Sequence, residues 1–168
     1  MKKIAILIEN MYEEPELLYP YYRIKEEGYE VHLIGPEKDK VYTGKHGYPM
    51  KSTHASKDVK AKDYDAVIVP GGYSPDYMRR CNDTINFVKE MDKLQKPIAA
   101  ICHGPWIMAS ACNLKGKRVT SFFSIKDDLI NAGAQYVDEE VVVDGNLITS
   151  RTPNDLVAFV KAIIEKVK

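Results

Sequence analysis

"PIAAICHGPW", residues 97–106, decides how the rest of the chain is read. Ile98 to Ile101 is an apolar run of strand length that ends abruptly in a cysteine, a histidine and a glycine. Such a run, bounded by turn formers, suits a strand buried on both faces of a parallel sheet. Pro97 marks its start, and Gly104-Pro105 stands where a helix opens. A residue held in a tight strand-to-helix turn projects its side chain clear of the sheet. Cys102 occupies that position.

Similar runs recur on either side. Ile4 to Ile8, Val31 to Ile34 and Ala66 to Val69 read as strands, the last closing in Pro70-Gly71-Gly72. Leu17, Leu18, Tyr21, Tyr22 and Ile24 recur at helical spacing, and Gly28 ends that helix. "VYTGKHGYPMKS" places turn residues between β-formers and predicts a small hairpin or an edge excursion. A helix follows over about Thr84 to Leu94, and another over His103 to Cys112. Val119 to Phe122 reads as a strand, and Lys126 to Asn131 as a short helix stopped by Gly133. Val141 to Val143, the Asp144-Gly145 turn and Leu147 to Thr149 form a hairpin. The last helix opens with Thr152 as N-cap, Pro153 at its first position and Asp155 in its first turn. This alternation predicts one α/β domain over residues 1–168, a mostly parallel sheet with helices on both faces.

In such sheets, sites gather at the carboxyl ends of the strands. Three ends carry useful groups: Glu13, Glu14 and Glu16 after the first strand, Gly71-Gly72 after Val69, and Cys102-His103. An unpaired cysteine is most often a small buried hydrophobe. The turn position and the neighbouring imidazole tip Cys102 toward chemistry. A free thiol near pKa 8.5 is only a few per cent ionised at neutral pH. Lowering that pKa by about two units needs roughly 2.7 kcal/mol, within reach of a helix end and one charge-assisted hydrogen bond. Backbone N–H groups of Gly71, Gly72 and His103 could face a developing oxyanion. At least two of the three glutamates read as surface acids at a helix start. One pointing inward would differ: ionised it raises the thiol's pKa, whereas protonated it donates a hydrogen bond and lowers it.

Composition narrows the function. Among 168 residues, 45% are hydrophobic and 29% charged, and 24 basic residues balance 24 acidic ones. That balance argues against a general nucleic-acid binder. No segment approaches the roughly 20 apolar residues a membrane span needs. The opening "MKKIAILIENMYEEPE" is too short in its apolar part for a signal peptide, which places the protein in the cytoplasm. Cys81, Cys102 and Cys112 make an odd, irregular set, against a disulfide framework. No Cys/His spacing suggests a structural metal. Cys112 reads as structural and Cys81 as exposed without a partner. His32, His46 and His54 read as surface or packing residues.

The stretches "EEPELLYPYYRIKEEGYEV" (13–31), "GKHGY" (44–48), "DYDAVIVPGG" (63–72), "KPIAAICHGPW" (96–106) and "IKDDLINAGAQYVDEEVVVDGNLITSRTPNDL" (125–156) together carry a resemblance. The chain resembles the PfpI-type intracellular protease family, within the superfamily of the Parkinson's-linked deglycase and the class I glutamine amidotransferases. The resemblance implies a flavodoxin-like three-layer sandwich with Cys102 as nucleophile. It matches Glu13 to the acid that hydrogen-bonds the cysteine, and His103 to the base. It matches Asp76, in "GGYSPDYM", to a triad acid supplied by a neighbouring subunit, although the family's protease pattern has glutamate there. The oxyanion hole falls on Gly72 and the backbone of His103. By resemblance the protein is a homo-oligomer, dimer or hexamer, acting on peptides or small carbonyl compounds without metal or organic cofactor. Peptide hydrolysis leads; glyoxalase or deglycase action on methylglyoxal and its adducts is the alternative. A non-enzymatic redox sensor or stress chaperone using Cys102 is a further one. A glutaminase would pair its cysteine with a late His-x-Glu, which is absent near residues 149 to 155.

Overall fold

The structure, a computed structural model, describes residues 1–168. Its centre is a seven-stranded sheet in the order β10-β11-β7-β6-β1-β2-β5. These strands are β1 (Lys3–Leu7), β2 (Glu30–Gly35), β5 (His54–Ala55), β6 (Ala66–Val69), β7 (Ile98–Ile101), β10 (Val142–Asp144) and β11 (Leu147–Ser150). All pairs are parallel except β10 with β11, the hairpin expected from Asp144-Gly145. The "VYTGKHGYPMKS" hairpin is also present, as antiparallel β3 (Val41–Thr43) and β4 (Pro49–Lys51). A small parallel pair joins β8 (Arg118–Val119) to β9 (Gln135–Tyr136).

Strand side chains alternate between two cores, as the two-residue period requires. Ile4, Ile6, Ile68, Ala99 and Ile101 point to one face. Helices α1 (Glu14–Glu26) and α6 (Leu156–Val167) cover it with Leu17, Ile24, Phe159, Val160 and Ile163. Ala5, Leu7, Val67, Val69 and Ala100 point to the other. There α3 (Asn82–Lys93), α4 (Pro105–Ala111) and α5 (Lys126–Asn131) contribute Phe87, Val88, Met91, Ile107, Met108 and Leu129. The result is the three-layer, flavodoxin-like sandwich. No helix is long and apolar enough to cross a membrane.

Three local expectations differ from the structure. The run Val119 to Phe122 pairs only through Arg118–Val119, because the Phe122 N–H donates to the Cys102 carbonyl at 2.9 Å and turns the chain across the β7 end. Thr152 precedes a 3₁₀ turn (Pro153–Asp155) but makes no side-chain cap bond. The loop is held instead by Asp155, whose carboxylate accepts from the Arg151 backbone N–H and guanidinium at 2.9–3.1 Å. A short helix, α2 (Ser74–Met78), follows Gly72, where the sequence showed only a turn.

β1, β6 and β7 lie side by side with their carboxyl ends on one rim. The chain leaves β1 toward β2 on one side and pairs with β6 on the other, so the order reverses there. The α1–α6 layer carries this arrangement, with Phe159 fully buried at its centre. Phe159→Ala is expected to lower the unfolding free energy by about 3–5 kcal/mol, read from denaturant melts. A loss below about 1 kcal/mol would mean that α6 is not holding that face.

Candidate active site

Cys102 sits in the turn between β7 and α4 with φ +63°, a left-handed conformation rare outside glycine. Three backbone hydrogen bonds hold the turn there. Its N–H donates to Ser150 O at 3.0 Å, its carbonyl accepts from Phe122, and the Gly104 N–H donates to Ile101 O at 2.8 Å. The backbone N–H groups of Gly72 and His103 are directed at the sulfur. Both groups anticipated for an oxyanion hole therefore lie at the thiol, in the type of strained turn that exposes a nucleophile.

The loops after β1 and β6 are stitched together above it. Tyr12 and Gly72 form an antiparallel bridge, Tyr73 N–H donates to Met11 O at 2.9 Å, and Glu13 N–H donates to Gly71 O at 3.3 Å. Both glycines are required by close approach. A Cβ on Gly71 would meet Glu16 Oε1 at 2.6 Å and Cys102 Cβ at 2.8 Å. At Gly72, φ is +72° and a Cβ would meet Met11 O at 2.4 Å.

The acid against the thiol is Glu16, not Glu13. Glu16 has no exposed surface. Its Oε1 accepts from the Gly71 N–H at 2.9 Å, and a Cβ on Gly71 would touch both this oxygen and Cys102 Cβ, so the carboxyl lies beside the thiol. Oε2 is buried without a hydrogen-bond partner, which leaves it able to carry the proton. Burial, reinforced by the charge of Glu13, raises the Glu16 pKa to about 8. Glu13 lies at the rim instead, its Oε2 paired with Lys45 Nζ at 2.8 Å. The reason is helical phase. Glu16, Pro20 and Ile24 fall four residues apart on the buried side of α1, whereas Glu13 precedes the first turn. Extending that face backward from Ile24 would have found Glu16 in the sequence.

His103 lies beside the thiol, its Nδ1 3.4 Å from Cys102 Sγ. Burial, with Lys45 nearby, lowers its pKa, so the ring is neutral at pH 7. Asp76 does not join it within the chain. The Asp76 carboxylate accepts from Arg80 Nη2 at 2.5 Å, an i,i+4 pair that starts in the short α2. Of the remaining candidates, His46 is engaged by Glu14, whose Oε1 accepts the His46 N–H at 2.6 Å while Oε2 meets Nδ1 at 2.9 Å. Glu13, Glu14 and His46 come within 4.8 Å of one another, but these bonds and Lys45 already engage their carboxylates, pinning the β3–β4 hairpin over the site. His32 stacks on His54 at 4.0 Å, far along the sheet edge. Cys81 is half-buried, 3.8 Å from Ser56 Oγ, rather than exposed and partnerless.

Met11, Tyr73, Phe122 and Pro153 wall an open pocket of about 380 Å³ that exposes Cys102, His103, Glu13 and Lys45. A hollow of about 490 Å³ between Lys57, Lys60 and α3 holds neither a cysteine nor a histidine.

Burial and the Glu16 charge push the Cys102 pKa up to about 12, against the Gly72 and His103 N–H groups. Two adjacent anions disfavour each other, so Glu16 must keep its proton while the thiolate forms. Below about pH 8 it does. Glu16→Gln keeps a neutral donor and is expected to alkylate with iodoacetamide at pH 7 within a few-fold of the wild-type rate. Glu16→Leu loses the donor and should slow at least tenfold, equivalent to about one pKa unit. Glu13→Ala should not slow it. Equal rates in all four proteins would remove Glu16 from thiolate stabilisation.

Comparison with known proteins agrees with this architecture. The DJ-1/PfpI family model matches residues 2–166. The chain is 45% identical over 166 residues to "Deglycase PfpI" of Pyrococcus furiosus, covering 99% of both chains. It is 48% identical over 158 residues to "Putative cysteine protease YraA" of Bacillus subtilis, covering 94% of each. Drosophila melanogaster DJ-1beta superposes with a TM-score of 0.91 at 28% identity, over 99% of this chain and 90% of the other. A two-domain Anabaena variabilis protein with DJ-1/ThiJ/PfpI-like and ferritin-like domains superposes with a TM-score of 0.97 at 43% identity. This chain covers 99% of its own length there and spans only 48% of that longer protein. On these matches and this sheet order, the chain belongs to the DJ-1/PfpI family.

Proposed function

We propose that the protein is a cysteine-dependent enzyme that attacks a reactive carbonyl, acting as a deglycase on the adducts of methylglyoxal with amines. The observation that carries this is the buried, protonated Glu16 against a thiol in a strained turn. Such chemistry needs a neutral proton donor beside the nucleophile, and a carboxyl of raised pKa supplies one at pH 7.

The Cys102 sulfur, its proton passed to His103 Nδ1, forms a bond to the aldehyde-level carbon of the adduct. The amine leaves with that proton. The sulfur-bearing carbon then loses its proton to give an enediol. The neighbouring carbon takes a proton back, and the hydroxyl proton of the first carbon passes to the neighbour's oxygen, giving a thioester of lactate. Water cleaves it, so that adduct plus water yields free amine plus lactate and the thiol is restored. The Gly72 and His103 N–H groups receive the oxyanion formed when water adds to the thioester. Apolar walls and an open mouth fit a small carbonyl group carried on a longer side chain. Relatives named as deglycases support the same reading.

A peptidase is the second reading, favoured by the His103 Nδ1 contact with Sγ and by the relative named for a cysteine protease. It would draw its third member, Asp76, from another copy in a homo-oligomer, since Asp76 is paired with Arg80 in its own chain.

Purified protein and Cys102→Ala decide between these readings. Expected are lactate and free amine from methylglyoxal-treated N-acetyl-lysine or N-acetyl-arginine with the wild type, none with Cys102→Ala, and slower release from a fluorogenic peptide. Turnover retained in Cys102→Ala would sink both readings. Peptide cleavage without lactate would select the peptidase.

A further inference from the structure

His103 has two hydrogen-bonded ring nitrogens, and only one of them is engaged by the nucleophile. Nδ1 faces Cys102 Sγ, and Nε2 lies 3.2 Å from Ser124 Oγ. Ser124 stands in the 3₁₀ turn Phe123–Ile125, which exists because Phe122 is pulled onto the Cys102 carbonyl. The imidazole plane is held by aromatic neighbours. Phe122 stacks on it at 5.1 Å and 26°, and Trp106 meets it edge-on at 5.1 Å and 71°. Trp106 is itself fixed by donating Nε1–H to Asp128 at 2.7 Å. With the plane fixed, the thiol and the Ser124 hydroxyl sit at opposite nitrogens of one ring.

We propose that Ser124 is the positioning residue of His103, holding the Nε2–H tautomer so that Nδ1 presents its lone pair to the Cys102 thiol. A neutral imidazole carries one N–H and one acceptor nitrogen, and the partner at one nitrogen sets the role of the other. With Nε2–H donating to Ser124 Oγ, the thiol proton passes to Nδ1, and sulfur keeps the electron pair with which it attacks. A hydroxyl accepts this bond without a full negative charge, so His103 remains neutral before the reaction. The charged groups around the ring are consistent: Lys45 on the β3–β4 loop opposes protonation, Glu13 at the rim is neutralised by Lys45, and Glu16 is protonated below about pH 8. Asp128 and Arg79 lie behind Trp106. The proposal thus assigns within one chain the place that the resemblance reserves for a carboxylate from a neighbouring subunit.

The inference rests on His103 as the proton carrier, yet its test does not require turnover. ¹⁵N spectra of the His103 ring, followed with pH, are compared in the wild type, Ser124→Ala, Ser124→Thr, Ser124→Asp and Asp76→Asn. The wild type should show the Nε2–H tautomer. Ser124→Ala should shift the ring signals toward a mixture of tautomers and lower kcat/KM roughly fivefold, the usual scale for one lost hydrogen bond. Ser124→Thr should restore both. Ser124→Asp should raise the His103 pKa and move the acid limb of the pH profile upward, because a carboxylate stabilises the imidazolium. Spectra and titration unchanged in Ser124→Ala, or a wild type in the Nδ1–H tautomer, would overturn the proposal. So would a His103 titration that moves in Asp76→Asn and not in Ser124→Ala, which would place the orienting group on another copy. If no carbonyl substrate turns over in any variant, the deglycase reading fails while the ring spectra still judge Ser124.

Discussion

A carboxyl group buried against a thiol is the constraint on which the rest of this site depends. Glu16 has no solvent to share its charge with, and its single backbone donor is Gly71. The cheapest state of that arrangement is the protonated acid, as the raised pKa of about 8 expresses. The sign of its effect on stability follows. A group whose folded pKa lies above its ordinary 4.5 leaves the native state fully stable below that value and costs stability as the pH rises toward 8. Evolution has no packing reason to bury a carboxyl in this way, since an apolar residue of similar size would remove the cost. What the carboxyl supplies is a proton, held where the Cys102 sulfur can use it.

The same constraint explains the backbone around it. For Glu16 to reach both Gly71 and Cys102, the second residue after β6 can have no side chain; a Cβ on Gly71 would collide with Glu16 and Cys102 alike. The next residue must turn with positive φ to bridge Tyr12, which fixes Gly72. Cys102 must then accept a left-handed φ itself, and the Ser150, Phe122 and Gly104 hydrogen bonds offset that strain. Three strand ends far apart in sequence are thereby locked into a unit of a few ångströms. The two cores, one under α1 and α6 and the other under α3, α4 and α5, give the rim the rigidity that such close contacts need.

Periodicity made most of the fold legible. The apolar runs Ala66 to Val69 and Ile98 to Ile101 coincide with β6 and β7, and the two hairpins followed from their turn residues. Cys102, His103 and Gly72 were legible as a cluster because strand ends in such sheets share a rim. Glu16 was not singled out, because three glutamates in four positions look alike until the buried face of α1 is extended back to the first turn. The 3₁₀ turn at Phe123–Ile125 was hidden for a different reason. Its cause is a long-range bond from Phe122 to the Cys102 carbonyl, and no local propensity encodes it. Ser124 went unnoticed with it, since a serine in a polar stretch signals nothing until the fold carries it to an imidazole.

Asp76 illustrates how a position can match while its setting differs. It stands at the start of α2, close in sequence to Gly72, yet its carboxylate is turned along the helix to Arg80. An acid paired with arginine is a weaker acceptor for a histidine N–H, because the cation already satisfies its charge. A shorter aspartate in place of glutamate compounds this by shortening the reach. His103, by contrast, has both nitrogens satisfied by groups of its own chain and lies under two aromatic rings. A neutral base needs orientation more than charge, whereas an imidazolium held ready for peptide cleavage needs a carboxylate. The balance of charges around this histidine therefore favours chemistry that begins from a neutral thiol and a neutral ring, with Glu16 as the second proton store. That is the requirement of a carbonyl already reactive enough to be attacked.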